Sequence, residues 1–306
     1  MASDHPKRVV IVGCGFTGTT ALHQLVEHYP VSAITVIESR SPFGPGFPYQ
    51  PTESTEYLIN NTNDTMCLDP SNRRAFVEWL QRHPDYNPDL DEKGHMPRAV
   101  YGEFLQDSIA HSTAMAAKKN IELTFVDEEC LDVEEVPGGH ATVRWAGGET
   151  DADLVILATG RCPDRDAFGL EGRDGYFATH MPGDKLDAIP LDAEVHVLGA
   201  SLSAYDVINQ LYSPETGARF EANREGRYRF VAGDNNRHVV LCSRSGRLKH
   251  CQSRHPQPVR REHFNRASIA ALESRTVTLD QLFDWIQADV RDNGVQLDFA
   301  DAKIHR

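Results

Sequence analysis

The chain has 306 residues, 40% of them hydrophobic and 25% charged, a globular composition with material for two modest cores. Its net charge of −14 opposes non-specific attraction to nucleic acid or to an anionic membrane, because a phosphate surface meets mostly like charge. No apolar run approaches the roughly 20 residues that span a bilayer, and the first apolar strand starts too near Met1 for a signal-peptide core, so a cytoplasmic location without membrane partners is expected.

The first element is a continuous apolar run, Val9 to Val12, of the kind that forms a parallel strand covered on both faces. It ends in Gly13-Cys14-Gly15-Phe16-Thr17-Gly18, a complete G-x-G-x-x-G, after which Ala21, Leu22, Leu25 and Val26 recur at helical spacing until Pro30. Gly13 permits the sharp turn, Gly15 lets backbone approach a pyrophosphate, and Gly18 allows close helix–strand packing while the helix N-terminus faces the phosphate charge. A second strand, "AITVIE", places Glu38 twenty positions beyond Gly18, where a carboxylate accepts hydrogen bonds from ribose hydroxyls. That carboxylate would repel a 2′-phosphate, so this turn suits FAD or NAD rather than NADP.

The run "SRSPFGPGFPYQ", with Arg40 near its start, is a rigid Gly/Pro loop where a plain NAD-binding domain would proceed to its next crossover helix. It leads to "YLINNTNDTMCLDP", then "MPRAVYGEFLQ", then a β-rich stretch whose last strand, Leu154 to Leu157, ends in Ala158-Thr159-Gly160. Such a small-residue turn lets the chain pass close to a dinucleotide.

Taken in order, G-C-G-F-T-G, Glu38, "FGPGFPY", "YLINNTNDTM", "PRAVYGEFL" and "LATG" make residues 9–160 resemble the N-terminal domain of the FAD-NAD(P)-binding oxidoreductases related to flavin-dependent N-hydroxylating monooxygenases. That family usually carries histidine-leucine-leucine-asparagine-valine where this chain has Tyr57-Leu58-Ile59-Asn60-Asn61, so only Asn60 carries over cleanly. The resemblance implies that Asn60 and Met66 lie near a flavin and that Arg98 and Tyr101 border it.

Gly, Asp and Pro punctuation over residues 161–190 reads as a crossing between domains. A second strand–turn–helix unit follows: Val195 to Leu198, then Gly199-Ala200-Ser201-Leu202-Ser203-Ala204, with serine at the second glycine position and alanine at the third. Ser201 and Ser203 stand where hydroxyls cap either the helix or a phosphate. Polar residues 213–236 read as a surface insertion, and the next strand, "HVVLCSR", delivers Ser243 and Arg244 where an adenosine ribose would sit. An arginine there grips a 2′-phosphate and favours NADPH. Arg247, Lys249, Arg254, Arg260, Arg261 and Arg266 follow against the single acid Glu262, a local anion-binding face in an acidic protein.

Six cysteines lack any C-x-x-C pair and the fourteen histidines lack ligand spacing, so neither a dithiol centre nor a metal site is expected. These readings predict an α/β fold of two Rossmann-like dinucleotide-binding domains with parallel sheets, the second inserted after the first. The FAD-binding domain is expected over 1–165 and the NAD(P)H-binding domain over 166–306, with the usual C-terminal return to the flavin domain missing. The function expected is that of an FAD- and NADPH-dependent oxidoreductase, of monooxygenase type, acting on a small amine or amino acid. A nucleotide-binding module without turnover is the alternative, as is an NAD-dependent dehydrogenase using only the first turn. No catalytic acid, base or nucleophile is singled out, and the oligomeric state is left open.

Overall fold

The computed structural model describes residues 7–86, 89–162, 166, 168–244, 246, 248, 259–271 and 278–294. Strand β1 (Lys7–Val12), helix α1 (Phe16–His28) and strand β2 (Val31–Ile37) open the chain. After a 3-10 turn at Asn63–Thr65 come α2 (Ala75–Arg82), α3 (Arg98–Lys118) and β3 (Glu122–Val126). Three strands, β4 (Cys130–Val136), β5 (His140–Trp145) and β6 (Gly148–Ala152), precede β7 (Leu154–Leu157).

Strands β3, β2, β1 and β7 lie side by side in that order and all run parallel. The period of two along β1 explains its unbroken apolar run. Val9 and Ile11 pack with Leu22, Leu25, Val26, Ile34 and Val36 under the helices, while Val10 and Val12 face the opposite side with Ile37, Val143 and Ala152. That second side is covered by the antiparallel sheet β4-β5-β6. A third cluster, built on Phe76, Trp79, Leu80, Tyr101, Phe104 and Leu105, joins α2 and α3 to the polar stretch around Ile59 and Met66.

Further on, β8 (Glu194–Leu198) leads into α4 (Leu202–Leu211). An antiparallel hairpin, β9 (Arg219–Ala222) with β10 (Tyr228–Val231), fills the stretch read as an insertion. Strand β11 (His238–Cys242) then pairs with β8 in parallel, Cys242 opposite Leu198. Residues fall into two compact units, Met1–Leu248 and Lys249–Arg306, and both glycine turns belong to the first.

The second unit holds α5 (Arg266–Ala270) and α6 (Leu279–Asp292). Thr278 and Gln281 form a reciprocal capping box that starts α6. From the same helix the Asp289 carboxylate accepts the backbone N–H groups of Glu262, His263 and Phe264, each at 2.8 Å, and so ties the preceding turn to it.

Candidate functional site

The first turn is built by backbone approach. Gly13 has φ +95° and donates its N–H to Ile37 O at 2.8 Å, while Ala158 N donates to Val12 O at 2.7 Å. The turn is thereby held between the ends of β2 and β7, beside the exposed Thr159 and Gly160. A Cβ on Gly18 would lie 2.0 Å from Gly13 O, so α1 folds directly onto the turn. Gly15 is the N-cap of α1 with no side-chain cap and no acid in the first turn. The positive end of the helix dipole is therefore not neutralised by the helix's own side chains, and Phe16 and Thr17 at its start are exposed.

Glu38 closes the opposite wall. Its Oε2 accepts from Cys14 N at 2.9 Å and its Oε1 from Arg40 N at 2.8 Å, which fixes the carboxylate while leaving lone pairs for ribose hydroxyls. Arg40 lies over the Phe47 ring, 5.3 Å from its centroid. Burial pushes the Cys14 thiol up to about 12, so it packs as an apolar group rather than serving as a nucleophile.

The Gly/Pro loop lies on the turn itself. Gly44 N donates to Cys14 O at 2.8 Å, and a Cβ on Gly46 would be 2.7 Å from the Gly15 Cα. Gly15 therefore admits a neighbouring backbone as well as presenting its own. Beneath the loop, Tyr101 packs edge-on to Tyr49 at 5.1 Å and to Phe76 at 4.9 Å, and lies 6.2 Å from the Phe16 ring. Its ring is fully buried, its hydroxyl has no partner among the described residues, and burial raises its pKa. Met66 is buried in the same cluster and Asn60 is exposed.

Arg98, the first residue of α3, joins this region to α4. Its Nη2 donates to Asp206 Oδ2 at 2.7 Å, with side-chain exposures of 12% and 9%, and its Nε donates to Leu58 O at 3.3 Å. The guanidinium also stands over the Tyr57 ring, and Tyr57 Oη donates to His180 O at 3.2 Å. His180 Nε2 lies 3.4 Å from the same Asp206 oxygen, and Glu53 Oε1 accepts from Gly183 N at 2.7 Å. Sequence reasoning singled out Arg98 and missed Asp206, His180, Glu53 and Tyr57. Asp206 and Gln210 are one helical turn apart and break the apolar spacing of α4, a signal that names a face but no partner.

At the second turn Gly199 has φ +123° and donates to Cys242 O at 2.8 Å. The parallel register of β8 and β11 ends with Cys242 opposite Leu198, so Ser243 and the exposed Arg244 leave the sheet at the same edge as the Gly199–Ser201 turn. Ser201 is the N-cap of α4 yet its side chain makes no cap hydrogen bond; no acid stands in the first turn, and Leu202 and Ser203 are exposed. Arg247, Lys249 and Arg254 lie outside the described residues, and Arg260, Arg261 and Arg266 belong to the second unit. Among the described residues no helix is long and apolar enough to cross a membrane, and no cluster of ligating side chains could hold a metal.

Residues 10–162 match a family model described as FAD-NAD(P)-binding. The chain is 28% identical over 216 residues to the uncharacterized protein YdhS of Escherichia coli K12, covering 65% of this chain and 38% of that protein's length. An ornithine N-hydroxylase of Kutzneria sp. 744, solved with reduced FAD, NADP+ and L-ornithine, shares the fold with a TM-score of 0.55 and 16% identity over 95% of this chain and 70% of its own. A bacillithiol disulfide reductase of Staphylococcus aureus aligns with a TM-score of 0.46 and 16% identity, covering 96% of this chain and 66% of its own.

Proposed function

Because the chain belongs to the FAD-NAD(P)-binding family, we propose that it is an oxidoreductase holding FAD at the first glycine turn and NADPH at the second, and that it hydroxylates an amine or amino acid. The observation that carries this reading is a repeated one: each of two parallel strands ends in a glycine at positive φ and opens a helix whose N-terminus has no side-chain cap. An uncapped helix start is suited to a pyrophosphate.

In this reading the backbone N–H groups of the Gly13–Gly18 turn hold the FAD pyrophosphate and Glu38 accepts from the ribose hydroxyls. Arg40 stands at the adenosine side, Thr159 and Gly160 allow the dinucleotide to pass, and the buried, unpartnered Tyr101 hydroxyl supplies a polar group toward the flavin with Met66 and Asn60. Arg98 orients the wall between the two turns. At the second turn Ser201, Ser203 and Ser243 face phosphate and ribose, and Arg244 grips the 2′-phosphate. Bound FAD and NADPH supply hydride chemistry and, in a monooxygenase, activation of dioxygen, while the polypeptide contributes binding, orientation and exclusion of water. The first domain is taken as 1–165 and the second as 166–306.

The likeness to an amino-acid N-hydroxylase supports the substrate class at the level of fold alone. Serine at position 201 favours a second reading, a nucleotide-binding module without turnover, because it narrows backbone approach to a phosphate. The visible spectrum of the FAD-loaded protein, taken before and after NADPH without oxygen, separates the two. Loss of the flavin band supports the oxidoreductase; bound flavin left oxidised by NADPH leaves the module. Admitting oxygen with candidate amines and following their hydroxylation tests the substrate class.

A further inference from the structure

Each of the three guanidinium nitrogens of Arg98 reaches a different segment of the chain. Nη2 donates to Asp206 on α4, Nε to the Leu58 carbonyl two residues before Asn60, and Nη1 lies 3.9 Å from the Met181 sulfur. Met181 belongs to the crossing between the two glycine turns, and that crossing is held at two more points: His180 O accepts from Tyr57 Oη, and Gly183 N donates to Glu53 Oε1. Glu53, Tyr57 and Asp206 are buried, and the Arg98 and His180 side chains are each 12% exposed. The ends of this network lie close to both turns. Asp206 stands five residues beyond Ser201, about 7.5 Å along α4, and Arg98 opens the helix that carries Tyr101 one turn further on.

A buried ion pair is a poor choice for stability alone, since apolar side chains of similar volume stabilise a fold as well or better. What a guanidinium fork adds is direction. Hydrogen bonds at fixed angles admit one placement of α4 against α3, whereas packed methyl groups admit several. We propose that Arg98, Asp206 and His180 form a positioning lock, which holds the second glycine turn at one distance and angle from the first and so sets the rate at which the two bound cofactors react. The consequence for rate rests on the assignment of FAD and NADPH to these turns. There NADPH gives up a hydride and leaves as NADP+, while FAD takes that hydride and a proton from solvent to become FADH2. Arg98 and Asp206 satisfy each other, and they act through the segments they hold rather than on the reacting atoms.

Two readouts on the parent, on Asp206→Ala and on Arg98→Met with Asp206→Leu test this. The first needs no cofactor: timed trypsin cleavage after the half-buried Lys185, in the held segment, with cleavage after the exposed Arg173 as internal reference. The lock predicts faster cleavage at Lys185 in both variants, even though the apolar pair recovers stability lost by the single substitution. Cleavage of the double variant at the parent's rate would make the pair a contribution to stability only and overturn the proposal. The second readout is anaerobic stopped-flow reduction of the FAD-loaded chain over a range of NADPH. The double variant should keep its half-saturating NADPH within about twofold of the parent's and lose about ten- to a hundredfold in limiting rate. A raised half-saturation at unchanged limiting rate would place these residues in binding and also overturn the proposal. If neither variant folds, Asp206→Asn, which keeps the shape and removes the charge, is read by the same two criteria. A parent whose bound flavin NADPH leaves oxidised would overturn the redox reading instead, and the cleavage at Lys185 would then decide the lock by itself.

Discussion

Gly15 and Gly18 belong to one motif, yet their missing side chains serve different ends. A Cβ on Gly18 would stand 2.0 Å from a backbone oxygen that cannot move without unmaking the turn, so Gly18→Ala should cost about 2–4 kcal/mol, read from the denaturant midpoint. At Gly15 the nearest atom is the Gly46 Cα at 3.3 Å, a tight approach that the loop can relax. Gly15→Val should therefore keep its fold and lose FAD on dialysis; retention equal to the parent's would show that the dinucleotide lies elsewhere. Arg244 is tested by its own selectivity. Arg244→Ala should weaken NADPH about ten- to a hundredfold and NADH hardly at all, and an unchanged ratio in parallel titrations would remove the case for 2′-phosphate recognition. The motif made Gly13, Gly15 and Gly18 legible in the sequence, because a positive φ and a close helix need glycine wherever they occur. That Gly46 answers Gly15 was not legible, since the pair is formed by two segments meeting.

Between elements, the buried Arg98–Asp206 pair connects the start of α3 to the middle of α4 across 108 positions of sequence. Removing one partner leaves a charge desolvated without compensation, so Asp206→Ala should cost about 3–5 kcal/mol. Replacing both, as Arg98→Met with Asp206→Leu, should recover most of that loss. Chemical denaturation of the two single variants and the double variant gives the coupling; additive losses would mean that the ion pair contributes nothing to holding α3 against α4. Periodicity read β1 and α1 correctly, in the Val9 to Val12 run and the Leu22, Leu25, Val26 face. Helix α4 lacks such an apolar face, because Asp206 and Gln210 are buried while Leu202 and Tyr205 are exposed. A carboxylate on a helix looks the same in sequence whether water or a guanidinium meets it.

Taken whole, the first unit closes around Cys14, which is buried in the core cluster between β1 and α1. Iodoacetamide should modify the exposed Cys162 of the native protein at once and reach Cys14 only when the unit unfolds, so the slow labelling rate reports global opening. The thiol's pKa rises from an ordinary 9.0 to about 12 in the folded chain. The unfolded chain thus gives up this proton first, and the contribution to stability is complete below about 9 and lost as pH climbs toward 12. Cys14→Ala should flatten the decline measured over that window. The sequence by itself determined what is local: apolar runs of period two or 3.6, glycines required by positive φ, and an acid or an arginine at a strand's end. The parallel order β3-β2-β1-β7, the loop resting on the first turn and the partner of Arg98 were decided only by the tertiary structure. The reason is physical. Backbone conformation answers to neighbours a few residues away, whereas the burial and pairing of a polar side chain depend on which distant segment the closed chain brings against it.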